Sequence, residues 1–293
     1  MSRRVVIAYL CAAGTVAIWT GFILISRMGG KSALTPYDIF ALRLGTASLI
    51  LLPMSTGLAW EQWSDLRLWL LSMTGGLLYG LCAFVGFKTA PAAHGAILLP
   101  GLQPFLVAGI ACWLNGTRPS VGQGLGLLAI GLGILCVAIP PWSDPQYGSW
   151  PHGEAWMVLA SITWAAYSVL AKRWGYDPWL LTRFVALASA LVFLPAYVLW
   201  LPKALTSVPT GMLILQGLYQ GIGPTILAML LFLKAIEVIG AERTGAMIAL
   251  VPVLAGVAAV PLLDEPLTAW LLVGLCLVST GAFLAARPRP SRT

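Results

Sequence analysis

The chain has 293 residues, of which 59% are hydrophobic and only 9% charged, where a soluble domain carries about 25% charged residues. So little polar surface cannot cover a globular body in water, which excludes a cytosolic enzyme, a secreted disulfide scaffold, a disordered linker and a nucleic-acid reader, and makes lipid the main solvent. The net charge of +7 comes from 17 basic side chains spread singly or gathered at the termini and short loops, a distribution of membrane-flanking anchors and not of a nucleic-acid face.

A membrane helix needs about 20 mainly apolar residues at 1.5 Å per residue. In chain order this predicts spans at 5–26, 37–53, 67–87, 92–113, 120–139, 153–171, 179–200, 210–233, 242–262 and 267–286. Pro36, Pro53, Pro91, Pro119, Pro178, Pro209 and Pro266 fall at the edges of these runs, where a missing N–H leaves no intrahelical bond unmade. The first run follows Met-Ser-Arg-Arg and is too long for the core of a signal peptide, about 7–15 residues, so it reads as a retained span. The longest connections, 54–65 and 140–152, are too short for a separate domain, so 1–293 reads as one transmembrane domain.

Lys and Arg on alternate sides number eleven against four when both termini are cytoplasmic, with Arg43 and Arg183 left within spans. That asymmetry sets the orientation. Trp60, Trp63, Trp142, Trp150 and Trp200 mark the interfaces. The five cysteines all sit in apolar runs without metal-ligand spacing, so neither a metal nor a disulfide is expected.

The halves repeat each other. AIWTGFILISR, ending at Arg27, lines up with ITWAAYSVLAK, ending at Lys172, pairing Trp19 with Trp164 and Phe22 with Tyr167. Lys88 then matches Lys234, Pro104 matches Pro252, and Pro119 matches Pro266. The repeats run over 4–139 and 152–287. Five spans each, an odd number, turn the second upside down relative to the first, the arrangement that gives secondary carriers alternating access. The fold class expected is therefore an all-α membrane protein, ten transmembrane helices in two inverted five-helix repeats with both termini cytoplasmic.

The second-half segment LFLKAIEVIGAERTGAMIALVPVLAGVAAVPLLDEPLTAWLLVGLCLVSTGAFLA, with Ala-Ile after Lys234, Pro252 in the ninth span and Glu-Pro at 265–266, resembles the second repeat of EamA-type proteins of the drug/metabolite transporter superfamily. The resemblance covers essentially the whole chain and is nearest to YddG-type exporters of aromatic amino acids. The first half departs from the pattern with Asn-Gly-Thr-Arg before Pro119. The resemblance implies a central cavity lined by spans 1–4 and 6–9, with spans 5 and 10 at the periphery.

Every Asp and Glu lies at a span edge or in a loop. A cationic cargo then has no buried counter-ion, which favours neutral or zwitterionic solutes, and ion coupling has no obvious carboxylate. Gly-Gly-Lys-Ser at 29–32 lacks the first glycine of a phosphate loop, and no cofactor is expected. Polar and aromatic residues deep in the spans are the candidates for gripping cargo. Thr15, Trp19, Phe22 and Ser26 recur at helical spacing, as do Ser161, Trp164 and Ser168 with Tyr167 beside them. Ser72, Gly76, Tyr79 and Ala83 form another stripe, and Gln216, Tyr219, Gln220 and Gly223 a fourth. The bland alternative is polar glue between helices.

Gln103 falls roughly 18 Å past Pro91, near mid-membrane, between Pro100 and Pro104, which would free backbone groups either for a zwitterion or for neighbouring helices. His94 lies nearer the outer edge, as a cargo or gating residue or as an interfacial histidine. Arg43 and Arg183 read as snorkelling anchors, with substrate contact the lesser alternative, and Lys88 and Lys234 as anchors. The expected substrate-binding set is thus Trp19, Tyr79, His94, Gln103, Trp164, Tyr167, Gln216, Tyr219 and Gln220, with no catalytic or metal residue. The expected function is export of aromatic and other apolar amino acids across a bacterial inner membrane by a monomer in contact with lipid and not with nucleic acid. Export of other metabolites or amphiphiles is the first alternative, and a membrane enzyme the more distant one.

Overall fold

The computed structural model describes residues 2–55, 58–116, 120–143 and 152–285. The described residues form helices and connecting turns, with no strand among them. The main helices are α1 (Arg3–Lys31), α2 (Pro36–Leu51), α3 (Leu66–Thr89), α4 (Ala92–Leu114), α5 (Val121–Ser143), α6 (His152–Trp174), α7 (Pro178–Trp200), α8 (Thr210–Gly240), α9 (Arg243–Leu263) and α10 (Ala269–Ala285). By length and composition, α1, α3, α4, α6, α7, α8 and α9 can cross a membrane. The expected spans at 37–53, 120–139 and 267–286 correspond to shorter apolar helices, α2, Val121–Cys136 within α5, and α10. Trp150, Arg118, Arg287, Arg289 and Arg292, the side chain of Trp142 and most of the 140–152 connection lie outside the described residues.

Local chemistry sets the boundaries. Thr35 and Asp38 form a reciprocal capping box at the start of α2. The Thr35 hydroxyl oxygen accepts from the Asp38 N–H at 3.1 Å, and Asp38 Oδ2 accepts from the Thr35 N–H at 2.8 Å. Such caps contribute about 1 kcal/mol. Asp177 caps α7 through the Leu180 N–H, 2.8 Å away, with Pro178 in the first turn. The α8–α9 boundary, expected between 233 and 242, is set by Gly240, whose φ of 85° and ψ of 160° reverse the chain where a residue with a Cβ would be strained.

The two halves echo each other in local geometry. Turns widen to π spacing at Ser72–Leu78 in α3 and Gly223–Leu227 in α8, and also at Ile97–Gly101 in α4. Leu102 (φ −75°, ψ −18°) precedes Gln103-Pro104 as Leu250 (φ −78°, ψ −20°) precedes Val251-Pro252. Left-handed caps at Gly116 and Asp264 follow α4 and α9, at the same separation along the chain as the two prolines. The packing echoes too: α1 lies along α8 as α3 lies along α6, and α5 lies along α10.

Glycines bring α5 and α10 into close backbone contact. A Cβ on Gly126 would stand 2.6 Å from the Gly281 carbonyl oxygen, and one on Gly281 would stand 2.5 Å from the Gly126 carbonyl. Gly133 and Gly274 face each other in the same way. In lipid, where apolar burial does not itself drive helices together, such contacts are the main source of association. A second packed body is aromatic. Phe40 meets Phe193 at 4.6 Å and Phe84 at 5.9 Å between centroids, and Phe22 meets Phe84 and Phe87 at 6.2 and 6.1 Å. These rings fill the space between α1, α2, α3 and α7 beside the cavity described next.

Candidate functional site

A cavity of about 560 Å³ opens among the helices and extends from their middle toward the end where α1 begins. Its aromatic wall comes from Trp19 and Phe22 on α1, Tyr79 on α3, Trp164 on α6 and Phe232 on α8. Trp164 packs against Tyr79 at 4.7 Å and against Tyr167 at 5.2 Å, and Trp19 against Phe232 at 5.4 Å. Among the described residues the lining contains no Asp or Glu, and its one charged side chain is Arg43.

Of the expected set, Trp19, Tyr79, Gln103 and Trp164 line this cavity. Tyr167 stands behind Trp164, against Gly75 of α3. Gln216, Tyr219 and Gln220 are not among the lining residues but bond to α1. Gln216 Nε2 donates to the Ile25 carbonyl at 2.8 Å, Tyr219 to the Ile18 carbonyl at 2.9 Å, and Gln220 Nε2 to Ser26 Oγ at 3.0 Å. Thr15 and Ser26 are buried with them.

The broken stretch of α4 supplies the deep polar group. Proline has no N–H, so Pro100 and Pro104 interrupt the backbone ladder of α4, which widens to π spacing at Ile97–Gly101. The Ser161 hydroxyl donates to the Leu98 carbonyl and approaches that of Leu99 at 3.4 Å. These carbonyls are thus met by α6. Gln103 Nε2 donates to the Ser161 carbonyl at 3.2 Å, and its Oε1 is buried without a partner among the described residues.

The lining differs from the expected one in its helices. Gln123 and Leu127 of α5 and Ala282 and Ala285 of α10 belong to it, whereas α7 contributes no residue. The short side chains of Ala108, Ala111, Ala282 and Ala285 leave the space open toward α5 and α10, and the phenylalanine cluster stands between the cavity and α7.

The opposite end is sealed by charged groups. Arg27 Nε donates to Glu265 Oε1 at 2.6 Å, and its terminal nitrogen donates to the Phe87 and Lys88 carbonyls at 2.9 and 3.2 Å. Glu265 Oε2 accepts from the Ala92 N–H at 2.6 Å. Lys88 Nζ donates to the Ser32 and Leu34 carbonyls at 2.9 and 2.8 Å, and Lys31 to the Leu263 carbonyl. His94 Nδ1 meets Glu154 Oε1 at 2.6 Å. Buried Asp38 accepts from Tyr197 and from the Ala204 N–H at 3.0 Å, joining α2 to the end of α7. His94 thus belongs to this seal and not to the cavity lining. Lys88, read as an anchor, caps carbonyls, whereas its repeat counterpart Lys234 pairs with exposed Glu237 at 2.9 Å.

The EamA-like transporter family matches residues 6–139 and again 151–287. The chain belongs to this family. It is 24% identical over 261 residues to the uncharacterised transporter YyaM of Bacillus subtilis (strain 168), covering 86% of this chain and 85% of that protein. An uncharacterised transporter of Archaeoglobus fulgidus is 23% identical over 285 residues, covering 96% and 99%. A solved crystal structure superposes with a TM-score of 0.66 at 20% identity over 95% of this chain and 96% of that one, which shows the fold. Membership and these relatives make the chain a multi-pass membrane protein and point to a transporter rather than an enzyme. The Arg27–Glu265 seal of this EamA-like protein escaped sequence reasoning, and the turn of Arg43 into the cavity was its less favoured alternative. For Arg43 the signal was present, a cation about two turns inside a span.

Proposed function

We propose that the chain exports aromatic and other apolar amino acids across a bacterial inner membrane as a facilitative secondary carrier. In this reading the ten main helices all cross the bilayer as two inverted five-helix repeats with cytoplasmic termini, and the monomer alternates access between its two ends. The echo of Leu102-Gln103-Pro104 in Leu250-Val251-Pro252 supports the repeat, and the cavity toward the start of α1 corresponds to the cytoplasm-open state.

The observation that carries the cargo class is the cavity's composition: among the described residues, aromatic faces, one cation and no carboxylate. Trp19, Tyr79 and Trp164 offer flat apolar area to a side chain. Gln103 Oε1, a buried acceptor without a donor, suits an ammonium, and the ring faces add cation–π attraction. Closure of the cavity end would exchange the seal at the far end for access there.

The test is efflux of labelled Phe or Trp from liposomes holding the purified protein, with and without an imposed pH gradient. Protein-dependent flux without the gradient is expected. Flux that needs the gradient keeps the carrier and moves the proton site to His94–Glu154. Absence of flux in both conditions rejects amino-acid cargo.

A further inference from the structure

We infer that Arg43 is the carboxylate-binding group of the cavity, so that the cargo is a monocarboxylate bearing an aromatic or branched apolar group, an amino acid included and a simple amine excluded. The inference rests on the transport reading above and specifies which end of the cargo meets which residue.

Arg43 lies two turns into α2, about 10 Å past its start, and its side chain enters the cavity. Other cations of the bundle are occupied: Arg27 by Glu265 and two carbonyls, Lys88 by two carbonyls, Arg183 by the Met54 carbonyl at 3.0 Å. Arg43 is different. No hydrogen bond or ion pair joins it to any described residue, and one terminal nitrogen is wholly buried without a partner. Its contacts are ring faces, with Cζ 5.5 Å from the Phe22 centroid and 6.0 Å from that of Phe84.

Ring contacts engage the flat face of a guanidinium, and its N–H donors lie in the plane. The planar fork matches a carboxylate with two parallel hydrogen bonds. A cation in low-dielectric surroundings is costly unless an anion and hydrogen bonds compensate it. With no Asp or Glu among the described residues of the lining, that anion comes with the ligand. Trp19, Tyr79 and Trp164 line the same cavity and receive the apolar part, whereas an amine without a carboxylate would add a second positive charge to Arg43.

The experiment compares 3-phenylpropionate with 3-phenylpropionamide, probes of equal shape that differ in charge, by equilibrium dialysis against the purified full-length protein, alongside phenylalanine efflux from liposomes. The wild type is expected to bind the carboxylate roughly tenfold or more tightly over the amide, the scale of a charge-assisted pair. Arg43→Gln is expected to abolish the preference while leaving amide binding intact, and Arg43→Lys to keep part of it. Equal affinities in the wild type, which need no variant to interpret, overturn the inference. So does a preference that survives in Arg43→Gln. Phenylalanine flux with charge-indifferent probe binding overturns the Arg43 site alone, whereas no flux and no binding of either probe overturns the transport reading with it.

Discussion

Arg27 and Glu265 meet at 2.6 Å with side chains 13% and 9% exposed, and between them they also bind the backbone of α3 and α4. Removing one partner of such a pair leaves the other charge buried and uncompensated, a loss of about 3–5 kcal/mol. Arg27→Gln and Glu265→Gln are each expected to lower unfolding stability in detergent by that order. The double variant should lose less than the sum, and a thermodynamic cycle over the four proteins measures the difference. Additive losses would mean that the two groups act independently.

The glycine contacts of α5 and α10 make a prediction of opposite sign to helix propensity. Alanine in place of glycine inside a helix gains about 1 kcal/mol. At Gly126 and Gly281 the added carbon meets a backbone carbonyl at 2.6 and 2.5 Å, and overpacking against backbone costs about 1–3 kcal/mol. Gly126→Ala and Gly281→Ala should therefore melt below the wild type. A higher melting temperature would show that the seam can separate without cost.

Cavity and glue residues are expected to separate in their effects. Trp19→Ala, Tyr79→Ala and Trp164→Ala remove aromatic surface from the lining, and each should reduce liposome flux by roughly tenfold at unchanged melting temperature. Gln220→Ala removes the donor to Ser26 Oγ and should lower stability more than initial flux. Flux and thermal unfolding measured on the same preparations check both halves of the contrast.

Asp65 and Tyr176 join the start of α3 to the turn before α7 through a hydrogen bond from the phenol to the carboxylate. That bond holds the Asp65 carboxyl below its ordinary value, and burial together with the bond pushes the Tyr176 phenol up to about 12. The carboxylate's contribution is present above its ordinary pKa near 3.8 and is lost as pH falls through the lowered one. The phenol's contribution is present below 10.0 and is lost as pH rises toward about 12. Tyr176→Phe should destabilise the protein across the middle range of pH and converge with the wild type at both extremes. A pH-independent difference in melting temperature would rule the pair out as its source.

The helices were legible because their signals are local. Apolar runs and the prolines at positions 36, 178 and 209 mark starts that α2, α7 and α8 take up in the structure. The end of α8 was not legible, since Lys234 looks like a terminus while the reversal belongs to Gly240 and its positive φ. Spacing also found Trp19 and Trp164, because a helical stripe fixes a face. It could not say which face meets the cavity and which meets a neighbour, so Tyr79 and Gln220 read alike although the first lines the space and the second bonds to α1. Arg43 was read from depth alone, and depth carries no rotation. Glu265 lies 238 residues from Arg27 along the chain, a separation at which no pattern of spacing reports a pair.

The ends of the molecule differ in what the surrounding solution can reach. Arg27 and Glu265 are shielded by the helices around them, while the pairs at the end where α1 begins, Arg4–Glu237 at 3.1 Å and Lys234–Glu237 at 2.9 Å, stand half-exposed or more. Mobile ions screen exposed charges over about 8 Å at physiological ionic strength and act far less on buried ones. Added salt therefore loosens the ties around the open end and leaves the sealed end as it was, so ionic strength addresses one face of this protein and not the other.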